Sequence, residues 1–65
     1  MHRENQRYHE IDGHFNLILD KIEAKGKIHY EVYEEYPDRD EEPMVFEKLE
    51  HAWKYFDNFL ELVED

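Results

Sequence analysis

The dipeptide Asp12-Gly13 constrains the fold of this chain more than any other feature. It lies between two apolar-rich runs, Arg7–Ile11 and His14–Ile22. Asp-Gly in this position predicts a two-residue β-hairpin turn, because glycine adopts positive φ angles at little cost. The sequence therefore predicts two antiparallel strands in the first third of the chain.

The residues after this turn continue the strand pattern. Phe15, Leu17 and Leu19 alternate with other side chains, as expected for a half-buried strand. The segment Ala24-Lys25-Gly26 predicts a second tight turn, after which Lys27–Tyr36 alternates apolar with polar and tyrosine residues. The sequence thus predicts a meander whose third strand ends in a charged segment.

A helix over Asp12–Lys25 is the competing interpretation. Asp12 would then be its N-cap and Gly26 its C-terminal glycine. Several apolar residues also fit helical spacing, namely Ile11, Phe15, Ile18, Leu19 and Ile22. The Asp-Gly turn and the β-branched and aromatic run after Gly26 favour the strand interpretation.

The C-terminal half predicts a loop, a short strand and a helix. Pro37–Pro43 is a charged loop bounded by prolines, and Met44–Phe46 is a candidate edge strand. A stripe at helical spacing predicts a helix from Glu47 to Val63. The expected fold of residues 1–65 is a single α+β domain, a small antiparallel β-meander of three to four strands with the C-terminal α-helix packed on one face.

The predicted helix carries more apolar surface than one small sheet requires. The stripe expected to face the sheet comprises Leu49, Trp53, Phe56, Leu60 and Val63. A second stripe beside it, the helix flank, comprises Ala52, Tyr55, Phe59 and Leu62. Its large members Tyr55, Phe59 and Leu62 predict an oligomer interface, most simply a homodimer, because exposed apolar patches rimmed by charge mark interfaces. Ile18 and Ile22, on the opposite strand face from Leu17 and Leu19, favour an interface too. The alternative to an interface is that the sheet wraps around the helix and covers this wide apolar face within one chain.

Acidic residues are concentrated in Glu31–Glu42, which reads EVYEEYPDRDEE. Seven carboxylates against one arginine make this run −6 of the chain's formal −10. Acids also crowd the end of the helix at Glu61, Glu64 and Asp65, where the helix dipole disfavours them. The usual explanation of such charge is a solvated face. Tyrosines interleaved with the acids favour a partner-binding surface instead, made of Glu31, Tyr33, Glu35, Tyr36, Asp38, Asp40, Glu41 and Glu42.

Several kinds of chemistry are missing from the sequence. It contains no serine, threonine or cysteine, which rules out Ser-His-Asp and Cys-His catalysis and disulfides. His9 and His14 are five residues apart, which does not match the spacing of a zinc-binding HExxH helix. The acids of Asp38–Glu42 lack the glycine and spacing of a calcium loop. We therefore expect no catalytic residues, no metal and no cofactor.

These observations predict a non-enzymatic, cytoplasmic protein that engages a basic protein partner as an inhibitor or adaptor. Direct nucleic-acid binding is disfavoured by the charge, and no membrane segment is expected. In size and acidity the chain resembles the small inhibitors that phages use against host nucleases, glycosylases and defence systems, which implies mimicry of nucleic acid; no motif carries the resemblance. The alternative is an assembly protein that forms a homo-oligomer through its helix flank.

Overall fold

In the computed structural model, which describes residues 1–63, two tight turns at positive φ direct the chain. Asp12 and Gly13 have φ angles of 40° and 73°, and Lys25 and Gly26 have 54° and 75°. Positive φ at both central residues is the turn conformation that matches the twist of paired strands. In the first turn the N–H of His14 also donates to the carbonyl of Ile11 across 2.7 Å. Both turns predicted from the sequence are therefore present.

The sheet contains four antiparallel strands in the order β1-β2-β3-β4, so that β1 and β4 are its two edges. One helix, α1, packs against it. The predicted α+β meander with a C-terminal helix is confirmed, and the competing helix over residues 12–25 is wrong. The elements are β1 (His2–Ile11), β2 (Phe15–Ala24), β3 (Lys27–Glu35), β4 (Met44–Phe46) and α1 (Leu49–Val63).

Several boundaries differ from the prediction. β2 is Phe15–Ala24 rather than His14–Ile22. β1 begins at His2 rather than Arg7, because its polar first half still pairs with β2 although no apolar alternation marks it. β3 ends one residue before Tyr36. The helix begins at Leu49 rather than Glu47, and the N–H of Ala52 makes an early helical hydrogen bond of 3.2 Å to the carbonyl of Lys48. Glu64 and Asp65, which belong to the predicted acidic helix end, lie outside the described residues.

The core lies between the sheet and α1. Its buried members are Leu17, Leu19 and Val32 on the strands and Ala52 and Phe56 on the helix. The small side chain of Ala52 is fully buried and allows close approach of the helix to the sheet. Half-buried side chains pack around this centre, namely Tyr30, Phe46, Tyr55, Phe59 and Leu60.

The helix is rotated relative to the sequence-based expectation. Leu49, Trp53 and Val63 were predicted to face the sheet, but they are 38%, 41% and 40% exposed. This part of the prediction is wrong, because the face centred on Ala52 and Phe56 packs inward instead. Trp53 then lies on the side of the helix, where its ring stacks on the guanidinium of Arg7 at 4.6 Å.

The sheet face opposite α1, which we call the open face, is not simply a solvated surface. Ile18 and Ile22 are only 6% and 1% exposed on it. Large side chains flank them across the strands and shelter them with their apolar parts, namely Tyr8, Tyr33, Arg3 and His29. Both isoleucines are thus buried within one chain and do not argue for an interface.

β1 contains a bulge between Asn5 and Arg7, so that Gln6 has no partner on β2. The Asn5 amide spans the irregularity, donating 2.9 Å to the carbonyl of Arg7 and 3.3 Å to that of Leu19. Because of the extra residue, Arg3 and Asn5 face the open side, whereas Arg7 faces α1. Within residues 1–63, no helix has both the length and the apolar character needed to cross a membrane.

Candidate functional site

The predicted partner-binding residues lie on β3 and in the loop that follows it. Glu31, Tyr33 and Glu35 share the open face, as their alternation predicts. Tyr36 begins the loop that leads to β4. The structure separates these residues into an internally bonded group on the strand and an exposed group in the loop.

The strand group is organised around Asp20, which is 3% exposed in the middle of β2. Its Oδ2 atom accepts hydrogen bonds of 2.9 Å from both the Tyr33 hydroxyl and Arg3 Nη1. Its Oδ1 atom accepts one of 3.1 Å from Asn5. A buried carboxylate normally costs stability unless it is paired and hydrogen-bonded, and these three donors meet that requirement.

Tyr33 is held as a hydrogen-bond donor by this arrangement. Burial and the hydrogen bond to Asp20 raise the pKa of Tyr33 from 10.0 to about 12. The same carboxylate, through its hydrogen bond, holds the pKa of Arg3 above its ordinary value. The Tyr33 hydroxyl is therefore committed within the chain, and only part of its ring remains for contact with a partner.

Glu31 is also tied into the chain. Its Oε1 atom accepts a hydrogen bond of 3.1 Å from Arg3 Nη2, and its Oε2 atom lies 3.1 Å from Nε2 of His29. The side chain of Glu31 is 16% exposed. Glu31 thus contributes charge to this surface without being one of its projecting groups.

Tyr36 anchors the start of the loop. Its ring packs on Phe15 with centroids 5.1 Å apart, and the guanidinium of Arg39 lies 4.0 Å from the ring centroid. Its hydroxyl donates a 2.6 Å hydrogen bond to Glu34, and this bond raises the pKa of Tyr36. The aromatic ring therefore connects the loop to β2 and holds the only base of the loop against the chain.

The loop folds back on the end of β3. Glu35 and Asp40 form an antiparallel backbone bridge, and Arg39 Nε lies 2.9 Å from Glu41 Oε1. The Glu35 carboxylate also accepts a 3.0 Å hydrogen bond from Asn16. The loop is thereby shaped by its own contacts. Its acids Asp38, Asp40, Glu41 and Glu42 remain exposed, as does Glu35 at the end of β3.

An open cleft of about 370 Å³ lies between the end of β3 and the loop. Tyr33 and Tyr36 contribute aromatic walls, and Pro43 lies at the start of β4. The cleft has five carboxylates and two guanidinium groups, from Glu31, Glu34, Glu35, Asp40, Glu41, Arg3 and Arg39. Both arginines are already paired with carboxylates of the chain, so the cleft is chemically suited to a cationic group.

The helix flank differs from its predicted role. Tyr55 and Phe59 are half-buried against the chain's own core, with ring centroids 5.4 Å from Phe46 to Tyr55 and 6.0 Å from Phe15 to Phe59. Leu62 is 83% exposed. The homodimer stays a prediction, but two of its three proposed contact residues already have intramolecular partners.

Sequence reasoning did not identify Asp20, Arg3 or Asn5 as part of the site. A signal was present, since Asp20 directly follows the apolar run Leu17–Leu19 and would be buried if this segment were a central strand. Its partners come from β1 and β3, so they become visible only once the register is known.

Metal binding finds no geometric support in the part of the chain that the structure describes. Within it, no three His, Cys, Asp or Glu side chains approach closely enough to hold a metal ion.

No family model matches the chain, and neither the curated proteins nor the solved structures compared with it give a match.

Proposed function

We propose that this chain is a non-enzymatic protein-binding module, an inhibitor or adaptor, whose acidic loop and adjoining cleft engage a basic site on another protein. The observation that carries this proposal is the cleft between β3 and the loop. Its five carboxylates outnumber its two guanidinium groups, and this excess of acid is the chemistry that attracts an arginine or lysine side chain.

Charge supports the proposal because the bases near the cleft are already in use. Arg3 is paired with Asp20 and Glu31, and Arg39 with Glu41. The exposed loop adds Asp38 and Glu42, which extend the acidic surface beyond the cleft. A basic groove on a partner would be drawn to this surface at long range, which raises the association rate at low ionic strength.

Preorganisation supports it as well. The Glu35–Asp40 bridge and the packing of Tyr36 on Phe15 hold the start and the middle of the loop close to the sheet. Prolines at positions 37 and 43 restrict the backbone further. A loop that is already shaped loses less conformational entropy on binding than a floppy one.

A nucleic-acid-binding groove is the basic site that such a surface would fit best. A duplex presents about one negative charge per 1.7 Å of helix axis, so a competitor for that groove needs dense acid. The alternative, a homo-oligomer through Tyr55, Phe59 and Leu62, has weaker support because the two rings pack on the chain's own core.

The test compares two variants with the same change in net charge. The loop variant carries Asp38→Asn, Asp40→Asn, Glu41→Gln and Glu42→Gln. The matched control replaces four exposed acids elsewhere, Glu23→Gln, Glu47→Gln, Glu50→Gln and Glu61→Gln. Immobilised wild-type chain first captures partners from a lysate, and association rates of the captured partner are then measured with all three proteins at low and high salt.

We expect the loop variant to associate about tenfold or more slowly at low salt, and this difference to shrink at high salt because screening removes the attraction. The control should associate at close to the wild-type rate. Heparin or duplex DNA should compete if the partner's groove binds nucleic acid. Equal rates for the loop variant and the wild type would mean that the acids are only a solvated face.

A further inference from the structure

The two edges of the sheet differ in length and charge. β4 has three residues, whereas β1 has ten and pairs only with β2 within residues 1–63. A long strand edge presents unpaired backbone N–H and C=O groups that can bond to another strand. β1 is therefore the larger of the two surfaces on which this sheet could be extended.

Charge indicates what could pair with β1. The strand contains Arg3, Arg7, Glu4 and Glu10, so its formal charge is zero in a chain of −10. Two copies can therefore approach along β1 with less repulsion than along β4, which directly follows the acidic loop. Charge complementarity at this edge favours a second copy of the same chain over a strongly basic or acidic partner.

The bulge makes the self-pairing specific. Residues that oppose each other in antiparallel strands lie on the same face of the sheet. Glu4 and Arg7 are three positions apart, and in a regular strand they would face opposite sides. The extra residue at Gln6 brings both to the face that carries α1. If a twofold axis places Glu4 opposite Arg7 of the second copy, it also places Arg3 opposite Tyr8 of that copy. Arg3 and Tyr8 both lie on the open face.

We propose that two copies pair antiparallel along β1, with Glu4 of each opposite Arg7 of the other, to form one continuous eight-stranded sheet. Arg7 can make this contact while it is bound to Asp57, because a single nitrogen, Nη1, makes that 2.6 Å bond and a guanidinium has five N–H donors. The Arg3–Tyr8 pairs add cation–π contacts on the other face, for which Tyr8 is 55% exposed. This inference is independent of the acidic loop.

The first test is a pair of charge reversals in the same strand. Glu4→Lys places a lysine opposite Arg7 of the second copy, and symmetry creates this repulsive pair twice. Glu10→Lys lies near the end of the paired region, where no charged side chain stands opposite it. Both variants change the net charge equally, and both positions are exposed. We expect Glu4→Lys to weaken dimerisation about tenfold and Glu10→Lys to change it less than threefold, as measured by sedimentation velocity.

The second test locates the contact. Amide hydrogen exchange measured at low and high protein concentration should show slower exchange in residues 2–9 at high concentration, with α1 and the acidic loop unchanged. A monomer at every concentration would overturn the proposal, as would a dimer whose protection lies on α1. Stronger weakening by Glu10→Lys than by Glu4→Lys would overturn the proposed register.

Discussion

The Tyr33 hydroxyl donates a 2.9 Å hydrogen bond to Asp20, which lies on the sheet face opposite the helix and yet is only 3% exposed. The contact joins β2 to β3, and Arg3 brings β1 to the same carboxylate. This face, on which Ile18 and Ile22 are also buried, is thus a second centre of organisation beside the apolar core. It also supports one wall of the acidic cleft.

Replacing Tyr33 with phenylalanine tests how much this hydrogen bond contributes. The substitution keeps the ring but removes the donor, which leaves Asp20 with Arg3 and Asn5 alone. We expect the free energy of unfolding to fall by about 1.5–3 kcal/mol, since hydrogen bonds to charged groups contribute in that range. Urea denaturation followed by circular dichroism measures it.

Tyr8→Phe is the matched control for this substitution. Tyr8 is 55% exposed on the same face, so loss of its hydroxyl should change the free energy of unfolding by less than about 0.5 kcal/mol. Equal stability of wild type and Tyr33→Phe would show that water replaces the bond without cost.

Alkaline pH should lower the free energy of unfolding through Tyr33. Burial and Asp20 raise the pKa of Tyr33 from 10.0 to about 12 in the folded chain. The folded state therefore binds the phenolic proton more tightly than the unfolded state does. This contribution to stability is fully present below pH 10 and is lost as the pH rises toward 12.

Denaturant titrations at a series of pH values between 9 and 12 measure this loss. The free energy of unfolding of the wild type should decline more steeply over this range than that of Tyr33→Phe, since the variant has no phenol to ionise at position 33. Parallel declines in the two proteins would contradict the assigned pKa shift.

The sequence reveals the local features of this fold better than its packing. Asp12-Gly13 and Lys25-Gly26 determine their turns through glycine within a few residues, and the helix follows from its own periodicity. The polar first half of β1 has no such pattern, and it pairs because Arg3 and Asn5 reach Asp20 across the sheet. That interaction depends on strand register, which sequence spacing alone does not reveal.

Which acidic-site residues are exposed could be predicted only in part, because their contacts also depend on strand register. The composition of the loop correctly marks Asp38–Glu42 as an exposed charged segment. Glu31 and Tyr33 were also expected to project, but they are bonded inward to groups distant in sequence. The rotation of the helix could not be foreseen either, because it depends on how closely Ala52 approaches the sheet.

Phe59 and Leu62 should respond differently to truncation although the sequence assigns both to one flank. Phe59 packs against Phe15 and Tyr55, whereas Leu62 is 83% exposed. We expect Phe59→Ala to lower the free energy of unfolding by about 2–3 kcal/mol, less than for a fully buried ring. Leu62→Ala should change it by less than about 0.5 kcal/mol.

Denaturation of both variants gives these values, and sedimentation measures any effect on self-association. If Leu62→Ala dissociates a dimer while leaving stability unchanged, the helix flank is an interface after all. A small loss of stability in Phe59→Ala would mean that its packing on the core contributes little.

Arg7 should stabilise the docking of α1 in a way that lysine cannot reproduce. Its guanidinium lies 4.6 Å from the ring centroid of Trp53 and 4.4 Å from that of Phe56, and it forms a 2.6 Å ion pair with Asp57. Arg7→Lys keeps the charge but loses the planar group that stacks on the rings. We expect the free energy of unfolding to fall by about 1–2 kcal/mol.

Trp53 is the only tryptophan in the chain, so its fluorescence reports directly on this contact. The emission of Arg7→Lys should shift to the red, because the ring loses the guanidinium that partly covers it. Arg39→Lys is the control, since Arg39 stacks on Tyr36 in the exposed loop and its replacement should leave both the emission and the stability close to wild type. If Arg7→Lys matched that control, the ion pair with Asp57 alone would account for the role of Arg7, and the stacking would contribute nothing measurable.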